Sequence, residues 1–238
     1  MIDPSRRPGA HRGVTPPVRA DRPVCSHGWV QSWSVVVPAK RLAVAKTRLR
    51  PLTHALGPAH GELVLALLAD TVAAAVACPA VAEVVVVTDD PAATDVVHGL
   101  GARTVTDEPD RGLNPALEHG ARSAAGPAVA ALSSDLAALR PEELAAALEA
   151  ATAFLRAFVA DAQGTGTTLL TAVGVPLDPG FGPGSAQAHR TSGARALTGS
   201  WPGLVRDVDT DADLDAALLL GAGPRTTEWI RRLRPAGT

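Results

Sequence analysis

Ser34-Val-Val-Val-Pro38, running directly into Ala39-Lys-Arg-Leu-Ala-Val-Ala-Lys-Thr-Arg48, is the stretch that decides how this chain is read. An unbroken run of β-branched residues, ended by proline, predicts a strand buried on both faces rather than one with a wet side. Glu83-Val-Val-Val-Val-Thr88 repeats the pattern and stops at Asp89-Asp90-Pro91. Between the two lies an apolar helix pattern over Glu62 to Ala77, closed by Cys78-Pro79. Outward from there the alternation continues. Helices are expected over 92–100, 113–125 and from Pro141 to about 153, with strands over 102–106 and 128–133. Further strands are expected at 157–160, 169–173 and 204–208, with helices at 186–197, 211–220 and 224–233. Such alternation predicts an α/β fold, a mostly parallel sheet covered by helices on both faces. Sheets of this kind bind ligands at the carboxyl ends of their strands.

Composition narrows the classes. The chain of 238 residues is 46% hydrophobic and 19% charged, which excludes a wholly disordered chain and a coiled coil. Residues 1–31 differ: five prolines, five arginines and no apolar periodicity predict a disordered extension without a secretion signal, followed by one folded domain over 32–235. A net charge of −2 gives no general attraction to nucleic acid. The longest apolar stretch, Leu63 to Ala77, is interrupted by Asp70 and is shorter than the roughly 20 residues of a membrane span. Cys25 and Cys78 make neither a metal spacing nor a disulfide framework, so a cytoplasmic protein is expected.

The basic residues are unusually informative. Of 22, only Lys40 and Lys46 are lysines, and they stand six residues apart in the loop after the first strand. Elsewhere arginine has taken every position, yet a compact ammonium and a wide guanidinium fork are not equivalent at a tight phosphate site. Lys40, Arg41, Lys46 and Arg48, with no acid among them, suit a nucleoside triphosphate, although a solvated basic turn has the same composition. Neither GxxxxGK[ST] nor GxGxxG is present.

Carboxylates stand at two other strand ends. Asp135 follows the fourth strand in Ser133-Ser-Asp-Leu-Ala-Ala-Leu139, placed for a metal, a ribose hydroxyl or loop hydrogen bonds. The last strand runs into Asp207-Val-Asp-Thr-Asp-Ala-Asp213. On a strand, Asp207 and Asp209 share a face, a pair of hard oxygen donors suited to magnesium. Thr210 and Asp213 have the spacing of a helix capping box, so cap and solvated turn could account for the whole run. Two glycine-rich loops, Asp161-Ala-Gln-Gly-Thr-Gly-Thr-Thr168 and Phe181-Gly-Pro-Gly-Ser185, suggest a second anion site. In that reading, Ser185 opens a helix whose free N–H groups face the ligand. No GxSxG, HxH or HExxH occurs, and no nucleophile for covalent catalysis stands out.

PAKRLAVAKTRL, SDLAAL, DAQGTGTTLL, FGPGSAQAHRTSG and TGSWPGLVRDVDTDADL, in that order over about residues 32 to 230, resemble the guanylyltransferases of deazaflavin coenzyme (F-420) biosynthesis. The resemblance implies a single-domain nucleotidyltransferase, a GT-A-like, Rossmann-type three-layer sandwich. It implies transfer from GTP to phosphoenolpyruvate, or alternatively to 2-phospho-L-lactate or 3-phosphoglycerate, with loss of pyrophosphate. Asp135, Asp207 and Asp209 then correspond to magnesium ligands, and Thr167, Gly182 and Ser185 to phosphoenolpyruvate contacts. Lys40, Lys46 and Asp135 become the residues expected to carry catalysis. GTP and phosphoenolpyruvate are the expected partners, with neither nucleic acid nor membrane, and a homodimer is compatible. A non-catalytic nucleotide-binding regulatory module is the reading from another class.

Overall fold

The computed structural model describes residues 32–39, 59–108 and 110–233. The predicted N-terminal extension over 1–31 and the segment holding Lys40, Arg41, Lys46 and Arg48 lie outside the described residues. The elements in chain order are β1 (Trp33–Pro38), α1 (Ala59–Ala77), β2 (Val81–Val87), α2 (Pro91–Gly99), β3 (Arg103–Val105), α3 (Leu113–Arg122) and β4 (Ala128–Leu132). They continue with α4 (Pro141–Ala151), β5 (Arg156–Ala160), β6 (Thr167–Val173), α5 (Ser185–Thr191), β7 (Arg195–Ala196), α6 (Asp211–Leu219) and α7 (Pro224–Leu233).

The strands form one sheet in the order β3-β2-β1-β4-β6-β5-β7. Four of its six pairings are parallel, and β6 runs antiparallel to both β4 and β5. The valine run of β1 is buried on both sides, as its composition predicts. Val35 and Val37 pack with Leu68 and Val72 of α1 and Leu144 of α4, whereas Val36 packs with Leu117 of α3. α3 can lie this close because of Gly120: a Cβ there would stand 2.5 Å from Val36 Cγ1 and 2.7 Å from Val87 Cγ2. A further helical layer lies outside α1, where Leu63 and Leu67 meet Leu214 of α6 and Trp229 of α7. Asp70 of α1 fastens it, accepting Arg225 N–H at 3.1 Å and Thr226 N–H at 2.8 Å at the start of α7. α1 is long and apolar enough to cross a membrane by length and composition, but Leu63, Leu67, Leu68 and Val72 are core residues.

Chain order reverses at β1. The path leaves through α1 to β2 and β3, then returns through α3 to β4 on the other side of β1. The crevice at the carboxyl ends of β1 and β4 is therefore where a ligand is accommodated in such a sheet.

Two expected elements differ. No strand forms over 204–208, because its backbone groups are engaged elsewhere. Leu204 N–H donates to Glu143 Oε2, Val205 N–H to Trp201 O, and Val205 O accepts from Ala162 N–H. The helix expected over 186–197 stops at Thr191, because Gly193 (φ +88°) takes the left-handed conformation that ends helices, and Arg195–Ala196 then pairs with β5.

Candidate active site

A cavity of about 640 Å³ opens at the carboxyl ends of β1 and β4, within the usual size of a small-molecule site. Pro38 at the end of β1 and Ala39 after it, Ser133 to Asp135 after β4, the loop after β5 and the loop before α5 all contribute to its wall. Val64, Leu67 and Leu68 of α1 and Leu113 and Leu117 of α3, from opposite faces of the sheet, give the cavity its apolar lining.

Asp135, Asp207 and Asp209 all line this cavity. Asp135 is only 5% exposed, and the other two are half-buried. Their convergence is a backbone matter. Thr71 of α1 donates to Leu67 O and accepts Leu136 N–H, each at 2.9 Å, which pins the loop after β4. Val208 N–H donates to Asp135 O at 3.2 Å, so Asp207 and Asp209, flanking Val208, are carried to the same wall. The carboxylates expected from a strand are thus presented by an irregular segment instead. Among the described residues no three His, Cys, Asp or Glu side chains form a ready-made metal cage. Asp213 has the predicted separate duty: its Oδ2 accepts Thr210 N–H at 2.9 Å while Thr210 Oγ1 accepts Asp213 N–H at 3.3 Å, closing the capping box of α6.

Thr167, Gly182 and Ser185 lie in the same cavity. The Asp161–Gly166 turn between β5 and β6 is closed by Asp161, whose carboxylate accepts Thr165 N–H at 2.9 Å and Gly166 N–H at 2.8 Å. A Cβ at 166 would stand 2.4 Å from Asp161 Oδ2, so a larger residue there must displace the carboxylate that closes the turn. The expected ring of free N–H groups at the start of α5 is not what forms. Ser185 N–H donates to Gly182 O, Ala186 N–H to Thr165 O, and Gln187 and Ala188 N–H to Gly184 O. α5 has only seven residues, so its dipole is small as well. What the segment offers a ligand is the buried Ser185 hydroxyl and the loop itself.

Two residues that sequence reasoning passed over hold this half of the cavity. Asn114 of α3 clamps Phe181 on both sides: Asn114 Nδ2 donates to Phe181 O at 3.0 Å, and Phe181 N–H donates to Asn114 Oδ1 at 2.8 Å. Nothing local marks Asn114, because its partner is 67 residues away. His189 of α5 is 1% exposed and links Gly180 N–H, at 2.9 Å from Nε2, to Thr167 Oγ1, at 2.9 Å from Nδ1. Burial pushes its pKa below the ordinary 6.5, Asp178 acting against this and Arg156 with it. Asp161 could have been noticed, since Asp before a Gly-rich turn commonly accepts backbone N–H groups two or more residues on.

Residues 33–236 match the family model described as guanylyl transferase, CofC like. The chain belongs to that family. Among relatives of the CofC-like guanylyl transferases, the phosphoenolpyruvate guanylyltransferase of Geodermatophilus obscurus is 69% identical over 212 residues, covering 87% of this chain and 99% of its own. The phosphoenolpyruvate guanylyltransferase of Streptomyces coelicolor is 55% identical over 212 residues, covering 86% of this chain and 99% of its own. In fold, the chain is similar to a nucleotidyl transferase from Methanothermobacter, with a TM-score of 0.57 at 21% identity over 84% of this chain and 99% of that one. The 4-diphosphocytidyl-2C-methyl-D-erythritol synthase of Anaerococcus prevotii superposes with a TM-score of 0.52 at 12% identity, over 80% and 96% of the two chains. The α/β nucleotidyltransferase architecture expected for this CofC-like guanylyl transferase is therefore the one it has.

Proposed function

We propose that this chain transfers the guanylyl group of GTP to the phosphate of phosphoenolpyruvate, giving enolpyruvoyl-diphospho-guanosine and pyrophosphate. The observation that carries the reading is one cavity with a carboxylate wall, Asp135 with Asp207 and Asp209, and a hydroxyl-bearing wall, Thr167 with Ser185. Relatives bearing the phosphoenolpyruvate guanylyltransferase name, at 69% and 55% identity, support the choice of acceptor. In the reaction, an anionic oxygen of the acceptor's phosphate attacks the α-phosphorus of GTP in line. The bond from that phosphorus to the bridging oxygen breaks, and the oxygen leaves with the bonding pair as pyrophosphate. The attacking oxygen is already an anion near neutral pH, so positioning and charge neutralisation suffice and no general base is required.

Each wall has a task in this scheme. Thr167, Gly182 and Ser185 hold the acceptor and aim its phosphate. Lys40 and Arg41 come next in sequence after Ala39 of the cavity wall, with Lys46 and Arg48 further along the same segment, and the four are assigned the cationic charge that meets the triphosphate. The oxygen donors of Asp135, Asp207 and Asp209 suit magnesium, which takes one or two carboxylates and completes its shell with phosphate oxygens and water, so no preformed cage is needed. A metal held there would neutralise charge on the phosphates. The product is an activated diphosphate of the kind expected in deazaflavin coenzyme biosynthesis.

The test is incubation of the full chain with GTP, magnesium and, separately, phosphoenolpyruvate, 2-phospho-L-lactate and 3-phosphoglycerate. Pyrophosphate release and the product mass are followed. Turnover with phosphoenolpyruvate at the highest kcat/KM is expected. Preference for another acceptor corrects the substrate, and GTP binding without pyrophosphate release in all three reactions overturns the reading in favour of a regulatory module.

A further inference from the structure

We propose that His189 is a positioning residue that turns the Thr167 hydroxyl into a hydrogen-bond donor aimed at the acceptor substrate. This deepens the function proposed above and rests on its placing the acceptor at the Thr167 side of the cavity.

The argument follows from which atoms can donate. A backbone N–H has no lone pair to offer, so Gly180 N–H, 2.9 Å from His189 Nε2, must be the donor of that bond. Nε2 is then the bare nitrogen, and a neutral imidazole carries its one proton on Nδ1. Nδ1–H therefore donates to Thr167 Oγ1 across 2.9 Å. A hydroxyl has two lone pairs and one proton. With one lone pair occupied by His189, the proton of Thr167 is left for the cavity that Thr167 lines. Were the imidazole proton on Nε2 instead, Thr167 would spend its proton on Nδ1 and present lone pairs to the ligand. An anionic acceptor is attracted by the first arrangement and repelled by the second.

The surroundings keep the ring in place. Phe158 and Phe181 pack on it with ring centroids 5.7 and 5.2 Å away, and the side chain is buried. The charged groups acting on it are Asp178, ahead of α5, and Arg156 of β5, which carry opposite signs and are ion-paired to each other. Arg190, next on α5, lies over Phe158. Ser185, one helical turn before His189, lines the cavity on the same helix, so one short element sets both hydroxyls.

Two variants separate this role from packing. His189→Phe keeps an aromatic ring between Phe158 and Phe181 but removes both polar bonds. His189→Asn loses ring packing and retains an amide donor near Thr167. If the donor matters, His189→Phe raises the phosphoenolpyruvate KM about tenfold or more, leaves the GTP KM within about twofold, and His189→Asn is the milder change at the acceptor. In the His189→Phe background, Thr167→Val then adds little. Long-range 1H–15N NMR of the ¹⁵N-labelled wild-type chain provides a reading independent of turnover, the His189 signal being assigned by its loss in either variant. A neutral, Nδ1-protonated ring supports the proposal even if phosphoenolpyruvate proves not to be the acceptor. A Nε2-protonated or doubly protonated ring overturns it, as does a His189→Phe chain with unchanged acceptor KM or one less impaired than His189→Asn.

Discussion

Replacing Asn114 by alanine severs the two hydrogen bonds, at 3.0 and 2.8 Å, that tie Phe181, at the start of the proposed acceptor loop, to α3. An ordinary protein hydrogen bond contributes about 0.5–1.5 kcal/mol net, so the pair contributes about 1–3 kcal/mol to holding Phe181 in place. In the folded variant Phe181 loses its tie to α3, while His189 and the backbone bonds of Ser185 and Ala186 remain, and acceptor binding must supply the lost ordering beside Gly182. At about 1.4 kcal/mol per tenfold change, that bounds the rise in acceptor KM at about five- to 150-fold. The same loss lowers Tm by about 2–4 °C for each kcal/mol in a chain of this size. The GTP KM should stay unchanged, because the proposed triphosphate contacts do not include this loop. Initial-rate kinetics with each substrate varied at saturating partner, alongside a thermal melt, reads all three quantities. Asn114→Asp retains the acceptor for Phe181 N–H but sets a carboxylate against Phe181 O, so it should be no better than alanine. An Asn114→Ala chain whose GTP and acceptor KM rise together, or whose acceptor KM is unchanged at a lowered Tm, would refute the idea that this clamp positions the acceptor site.

Asp209→Asn keeps the shape of a cavity-lining side chain and removes its charge; turnover should fall at least a hundredfold with little change in Tm, and undiminished activity in EDTA would count against a metal role. Lys40→Arg with Lys46→Arg preserves charge but not point-charge geometry, and should raise the GTP KM while leaving the acceptor KM alone. Gly120→Ala forces a methyl against Val36 and Val87, whose β-branched side chains are stiff, and should destabilise by about 1–3 kcal/mol in a denaturation experiment. Burial pushes the Glu83 carboxyl up, but hydrogen bonds from Ala125 N–H, Ser34 and Arg103 outweigh it and hold it below the ordinary 4.5. A depressed acid stabilises the fold above its unfolded pKa and loses that contribution as pH falls through the folded one. Stability should therefore decline below about pH 4.5, and Glu83→Gln should flatten that part of the pH–stability curve.

The alternation of strands and helices was legible along the chain because buried strands and helix ends leave local marks. The valine runs of β1 and β2, Pro91 and Pro141 at helix starts, and the Thr210–Asp213 box of α6 each act within a few residues of themselves. The candidate cavity residues Asp135, Thr167, Gly182, Ser185, Asp207 and Asp209 could be singled out for the same reason, as chemistry-bearing groups at the ends of such runs. Tertiary contact decided the rest. Val208 N–H on Asp135 O brings the carboxylates together without the strand that Leu204–Val208 was expected to form, because the backbone there bonds to Glu143, Trp201 and Ala162. Asn114 and His189 reach partners 67 and 22 residues away, and Asp70 reaches across 156, so no spacing rule along the chain could have assigned them. A capping box closes within one turn and is written in its own residues. A cavity wall is made by segments that meet only when the sheet reverses its order at β1, and its hydrogen bonds exist only once they do.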